Sequence, residues 1–185
     1  MAYDYKKVFY LSSTLNLDTA FDAGDTYTKA IDLSAFVNST GVGKTKATGL
    51  GIYKVHMSIT DASDNRPVDA GETGVFRVGV FAGLGEDSTN YTLSTHENTA
   101  SNDLNIWGSD WYGGGAGASG NNAQGTNFLA PSEDVPYIVV RENMAIVATC
   151  TAPITQILYV NMRFECSEIP LTSDTLTQLL RTQTA

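Results

Sequence analysis

An all-β antiparallel sandwich is the fold class this sequence predicts, and three observations predict it. Residues 136–166, PYIVVRENMAIVATCTAPITQILYVNMRFEC, read as three consecutive strands parted by breaks at Arg141-Glu142-Asn143 and Thr151-Ala152-Pro153. In the last of them Ile154, Leu158, Val160, Met162, Phe164 and Cys166 share one parity, with Gln156 as its only polar member. Thr155, Asn161, Arg163 and Glu165 share the other parity with Ile157 and Tyr159. A period of two sends such sets to opposite faces of a sheet. Composition is the second observation: 42% hydrophobic and only 17% charged, with abundant Thr, Ser, Asn and Gly, suits strands joined by polar loops. The third is that no helical pattern falls between strands, which argues against a doubly wound parallel sheet.

The elements follow in order. Residues 5–11 (YKKVFYL) predict a first strand, with residues 16–25 as a polar turn and residues 1–26 together as an N-terminal strand or arm. In residues 27–34, Ile31 and Leu33 alternate with Thr28, Asp32 and Ser34. A Gly/Thr/Lys loop at 38–49 leads to a long strand at 50–60, where Tyr53, Val55, Met57 and Ile59 face away from Lys54, His56 and Ser58. Residues 61–71 are dense in turn formers. Residues 75–82 resume the alternation, with Phe76, Val78 and Val80 inward, Arg77 outward, and Gly79 marking a bulge or close packing. A turn at 83–88 and a short strand at 91–95 come next. Residues 97–127 lose regularity and form a long Gly-rich loop carrying Trp107, Trp111 and Tyr112. After the three-strand block, Pro170 stops the sheet. Ser173 then N-caps a short helix within residues 171–183, with Leu176, Leu179 and Leu180 on one stripe. About eight antiparallel strands in one domain spanning 1–185 favour an eight-stranded jelly-roll-type sandwich with long loops.

Charge and cysteine content narrow the function. The formal net charge is −9 and the pI about 4.5. Between Arg77 and Arg141 there is no Lys or Arg, but Glu86, Asp87, Glu97, Asp103, Asp110, Glu133 and Asp134 occur there. A chain that neutralises phosphates needs a basic patch, so direct nucleic-acid binding is not expected. Residues 1–4 open no signal-peptide h-region, and no apolar run reaches the roughly 20 residues of a membrane span. Cys150 and Cys166 each end an apolar strand face and read as buried reduced thiols in a chain made in the cytosol.

NSTGVGKT at 38–45 approaches a phosphate-binding P-loop, but Asn38 replaces the first glycine, and Gly49 and Gly51 lead into a strand where a helix is required. An exposed loop is the better reading. His56 and His96 have no partner at zinc-ligand spacing, and no nucleophile elbow occurs, so no enzyme is expected. Asp61, Asp64, Asp69 and Glu72 form the acidic set from which a calcium site would be drawn, as would Asp18, Asp22 and Asp25. Solvated turns are the simpler reading for both, and no cofactor is expected. Trp107, Trp111 and Tyr112 offer three roles: contact with a partner or neighbouring subunit, anchoring of their loop, or a stacking platform for sugar rings. The sugar role makes a carbohydrate-binding sandwich, such as a fibre head or spike, the alternative function. Ile157 and Tyr159, apolar on an otherwise polar face, are the other interface residues; a subunit or the C-terminal helix lying over that face would bury them.

The order of short strands and long polar connections, with Val135-Pro136, a Glu142-Asn143 turn before MAIVATC and a long last strand, resembles the single-jelly-roll capsid proteins of icosahedral viruses. That resemblance implies a structural subunit of the virion, synthesised in the host cytoplasm. It would assemble with copies of itself, and with other capsid components, into a closed shell through loop and edge contacts, often by way of trimers or pentamers. One departure stands out. Many such proteins carry a basic N-terminal arm, whereas residues 1–11 offer only Lys6 and Lys7. Genome contact would then fall to another component, an internal membrane or an induced packaging route.

Overall fold

A computed structural model describes residues 7–17, 25–38, 47–63, 75–83, 104–112, 124–150 and 157–183. Nine strands appear among them: β1 (Phe9–Leu17), β2 (Thr26–Asp32), β3 (Ala47–Asp61), β4 (Val75–Ala82), β5 (Asn105–Tyr112), β6 (Gln124–Leu129), β7 (Tyr137–Val139), β8 (Asn143–Cys150) and β9 (Leu158–Leu171), followed by helix α1 (Ser173–Thr182). They form two antiparallel sheets, ordered β1-β9-β3-β7 and β2-β8-β4-β5-β6. The pairing is nested: first strand with last, second with second-last, third with third-last. Rolling such a long hairpin so that β9 meets β3 and β8 meets β4 gives the jelly roll. β7, β8 and β9 therefore do not pair with one another; the chain changes sheet at each break.

The core lies between the sheets. Leu15, Leu17, Leu50, Ile52, Val78, Val80, Met144, Ile146, Val160, Met162 and Phe164 are buried there. The inward set of β9 is the one its alternation predicts.

Several expectations are corrected. The first strand begins at Phe9 and runs on to Leu17; its polar Ser12, Thr14 and Asn16 face outward, while Ser13 takes the inner parity. In β3 the pairing shifts between Ile52 and Lys54, so Tyr53 is the extra residue of a bulge. Ile52 thus joins the inner set, while Tyr53 turns its hydroxyl to Ser167 Oγ at 3.0 Å. Pro170 does not stop the sheet, because β9 runs on to Leu171. Its pairing with β1 ends at Cys166, so beyond that point, among the described residues, β9 is bordered on one side only, where a missing N–H is tolerated. Thr172, not Ser173, caps α1, its Oγ1 accepting from the Thr175 amide at 3.2 Å. The region expected to be one long loop at 97–127 contains β5 and the start of β6, which raises the strand count to nine. The expected strand at 91–95 lies outside the described residues.

Helix α1 covers one end of the four-stranded sheet, setting Leu176, Leu179 and Leu180 on Ala47, Ile138, Val140, Ile169 and Leu171. Gly51 makes room for this layer: a Cβ there would lie 2.4 Å from Ile169 Cδ1.

Candidate functional site

The outer face of β1, β9 and β3 is built by register into four rows: Tyr10, Glu165 and Lys54; Ser12, Arg163 and His56; Thr14, Asn161 and Ser58; Asn16, Tyr159 and Thr60. Each strand contributes every second residue, so the rows follow from the same parity that fills the core. Contacts run diagonally between rows as well as across them. The Arg163 guanidinium carbon lies 3.9 Å from the centroid of the Tyr10 ring. His56 Nε2 and Glu165 Oε1 are 2.8 Å apart. Thr14 Oγ1 donates to Asn161 Oδ1 at 3.0 Å, and Asn161 Nδ2 donates to Thr60 Oγ1 at 3.4 Å. An open depression of about 380 Å³ lies between Ser12, Thr14, His56, Ser58, Asn161 and Arg163.

This arrangement offers hydrogen-bonding and charged groups for contact. His56 is oriented by a carboxylate, but among the described residues no hydrogen bond links it to a serine hydroxyl. Lys54, His56 and Arg163 stand against Glu165 on this face, in a chain whose total charge is −9. Sequence parity places Lys54, His56, Ser58, Asn161, Arg163 and Glu165 outward; it does not show that Tyr10 and Arg163 stack, because that depends on pairing between the two ends of the chain.

The sequence-predicted residues fall in different places. Trp107 is 2% exposed and packs in the core from β5. A register shift between Val80 and Phe81 makes Ile106 the extra residue, which lets the consecutive Ile106 and Trp107 both point inward. Trp111 and Tyr112 are β5 positions opposite Phe76 and Val75, and only their backbone is described. Ile157 remains 44% exposed just before β9, and Tyr159 is half-buried in the fourth row. Helix α1 lies at the opposite end of the sheet and covers neither.

Of the two calcium sets, only the exposed Asp25, just before β2, and Asp61, at the end of β3, lie within the described residues, and Asp61 bonds locally. Its Oδ1 accepts from the Ser63 hydroxyl at 2.5 Å and the Ser63 amide at 2.6 Å, and these bonds hold its carboxyl below the usual range. Asp64, Asp69 and Glu72 lie outside, as do Asp18, Asp22 and His96. Among the described residues no three His, Cys, Asp or Glu side chains gather as a metal site, and no helix is long and apolar enough to cross a membrane. Cys150 and Cys166 are both buried and unpaired by any disulfide.

Strand order and nested pairing together define a jelly-roll sandwich. Among solved structures, the chain is similar to the VP1 protein of Trichodysplasia spinulosa-associated polyomavirus, in complex with sialylated precision glycooligomers. That match has a TM-score of 0.50 at 8% identity and covers 93% of this chain and 97% of that one. VP1 of New Jersey polyomavirus (TM-score 0.48, 9% identity, 90% of this chain and 100% of that one) and of Merkel cell polyomavirus (0.47, 8%, 91% and 97%) also match. At such identities the likeness is one of fold. No protein-family model matches the chain, and neither does any curated protein.

Proposed function

We propose that this chain is a capsid subunit that assembles with copies of itself into a closed icosahedral shell and resides in the virion. The observation that carries this reading is the nested jelly-roll winding, with β1 against β9, β2 against β8 and β3 against β7, beside a fold-level likeness to a polyomavirus VP1 that covers 93% of the chain. Physical chemistry supports it. A rigid sandwich with open edges and a low-charge polar face suits repeated, partly wet contacts, and closed symmetry uses one such contact many times. The net charge of −9 supports a reading in which genome binding falls to another component. The carbohydrate alternative loses its first aromatic, since Trp107 is core.

Size-exclusion chromatography with negative-stain electron microscopy tests the proposal. The expected result is symmetric oligomers or shells from purified protein. A strict monomer at every accessible concentration and salt condition would overturn it.

A further inference from the structure

Among the described residues the two sheets end in four edge strands, β1 and β7 in one and β2 and β6 in the other. An open edge invites another strand, and proteins usually blunt it with charge, proline, bulges, short length or a cover. Three of the four edges are blunted. β7 has three residues, and Gln183 pairs with its outward groups: the Val140 amide donates to Gln183 Oε1 and Gln183 Nε2 donates to the Ile138 carbonyl. β2 carries exposed Lys29 and Asp32. β6 is short, contains Gly125 and meets β5 through a register shift.

β1 differs from them all. It runs nine residues, FYLSSTLNL, with no charge, proline or glycine, and pairs with β9 without a register break. Among the described residues nothing pairs with its other side.

Its sequence also matches itself in reverse. Antiparallel pairing about Ser13 sets Phe9 against Leu17, Tyr10 against Asn16, Leu11 against Leu15 and Ser12 against Thr14. Odd positions belong to the inner face and even ones to the outer face, so Phe9 and Leu11 meet leucines on one side, Ser13 meets its own copy at the axis, and Ser12 and Tyr10 meet Thr14 and Asn16 on the other. A shift of the centre to Ser12 or Thr14 would place Leu11 or Leu15 opposite Ser13. Phe9, which stacks on Phe36, and Leu11 are only half-buried although they face the core from this edge strand. The partner's Leu17 and Leu15 would cover them.

We infer that β1 is a two-fold self-docking edge: a second copy of this chain adds its own β1 antiparallel, centred on Ser13, to give a continuous sheet β7-β3-β9-β1-β1-β9-β3-β7. The contact is isologous, each copy offering the same strand. This deepens the self-assembly reading and rests on it for the existence of oligomers, while naming the strand and register independently.

Site-specific cross-linking tests register. In Ser13→Cys the two introduced thiols face each other across the axis, with Cα atoms about 4.5–5.5 Å apart, within disulfide reach. In Tyr10→Cys they are six residues out of step, roughly 20 Å apart. The buried Cys150 and Cys166 add little background. Under mild oxidation Ser13→Cys should yield a covalent dimer on a non-reducing gel and Tyr10→Cys should not. A charge test accompanies it, with circular dichroism checking that each variant folds. Ser12→Lys with Thr14→Lys sets like charges opposite each other twice and should weaken the dimer about tenfold by sedimentation. Ser12→Lys with Thr14→Glu should restore it. Oligomers that form without the Ser13→Cys cross-link, or that ignore both charge pairs, would overturn the β1 edge and leave the capsid reading intact. A wild-type chain that stays monomeric would overturn both.

Discussion

Cys166 ends the inner row of β9 with no solvent exposure. Burial foremost, then the charge of Glu165, pushes its thiol up to about 12, against a small opposing effect of the Leu11 backbone. A thiol that stays protonated is a poor nucleophile. Native protein should therefore leave Cys166 unmodified by a thiol reagent such as dithionitrobenzoate, and Cys150, 3% exposed, should be shielded likewise; both should react once the chain unfolds. The same shift sets a pH dependence. The unfolded thiol ionises near its ordinary value of 9.0 and the folded one near 12, so the folded state holds more protons in between. Stability must then fall as pH rises through that window. Urea midpoints measured between about pH 8 and 11 should decline more steeply for wild type than for Cys166→Ala. Trp107 makes a second case. Truncating this buried side chain to alanine should cost about 3–5 kcal/mol in urea unfolding. Trp107→Phe should cost far less, because among the described residues the indole Nε1 is buried without a hydrogen-bond partner to lose.

Gln183 shows how one side chain completes an element. Its amide serves β7 as a strand neighbour would, accepting from the Val140 amide at 3.2 Å and donating to the Ile138 carbonyl at 2.7 Å. Its own carbonyl accepts from Arg141 Nε at 3.0 Å and Nη2 at 2.6 Å, which fixes the end of α1 against the edge. Gln183→Ala strips two backbone groups of their partners and should cost about 1–3 kcal/mol. Hydrogen exchange should quicken at Val140 before it does at β8; unchanged protection there would show that the amide does not seal the edge. Nothing in the string RTQTA announces this role, because it depends on β7 lying beside the chain's end. Local patterning fared better where alternation was clean: β4 falls on the residues expected, and Val160, Met162, Phe164 and Cys166 form the inner row of β9. It failed at β5, whose WGSDWY run breaks the period with Gly108 and with a bulge at Ile106. The outer face was half legible: parity placed His56, Arg163 and Glu165 outward, but the stacking of Arg163 on Tyr10 comes only from bringing β1 to β9.

Nested pairing governs the molecule as a whole. Phe9 pairs with Cys166 and Leu17 with Leu158, so the first strand has no sheet partner until the last one is made. β9 also separates β1 from β3, pairing with both, and without it the four-stranded sheet loses its middle. Long loops must be closed before such contacts form, and chains of this kind fold slowly, in milliseconds to seconds or longer. An N-terminal fragment cannot shortcut that order. A chain ending at residue 157 retains all five strands of the second sheet but lacks Leu158, Val160, Met162, Phe164 and Cys166, the central row of the facing half of the core. It should show no cooperative thermal transition by circular dichroism, whereas the full chain unfolds in one. Adding a separate peptide of residues 158–183 should restore the transition, since the missing strand needs only to enter between β1 and β3. A fragment that already melts cooperatively on its own would mean that the five-stranded sheet folds independently, and that the first-to-last pairing is a late addition to it.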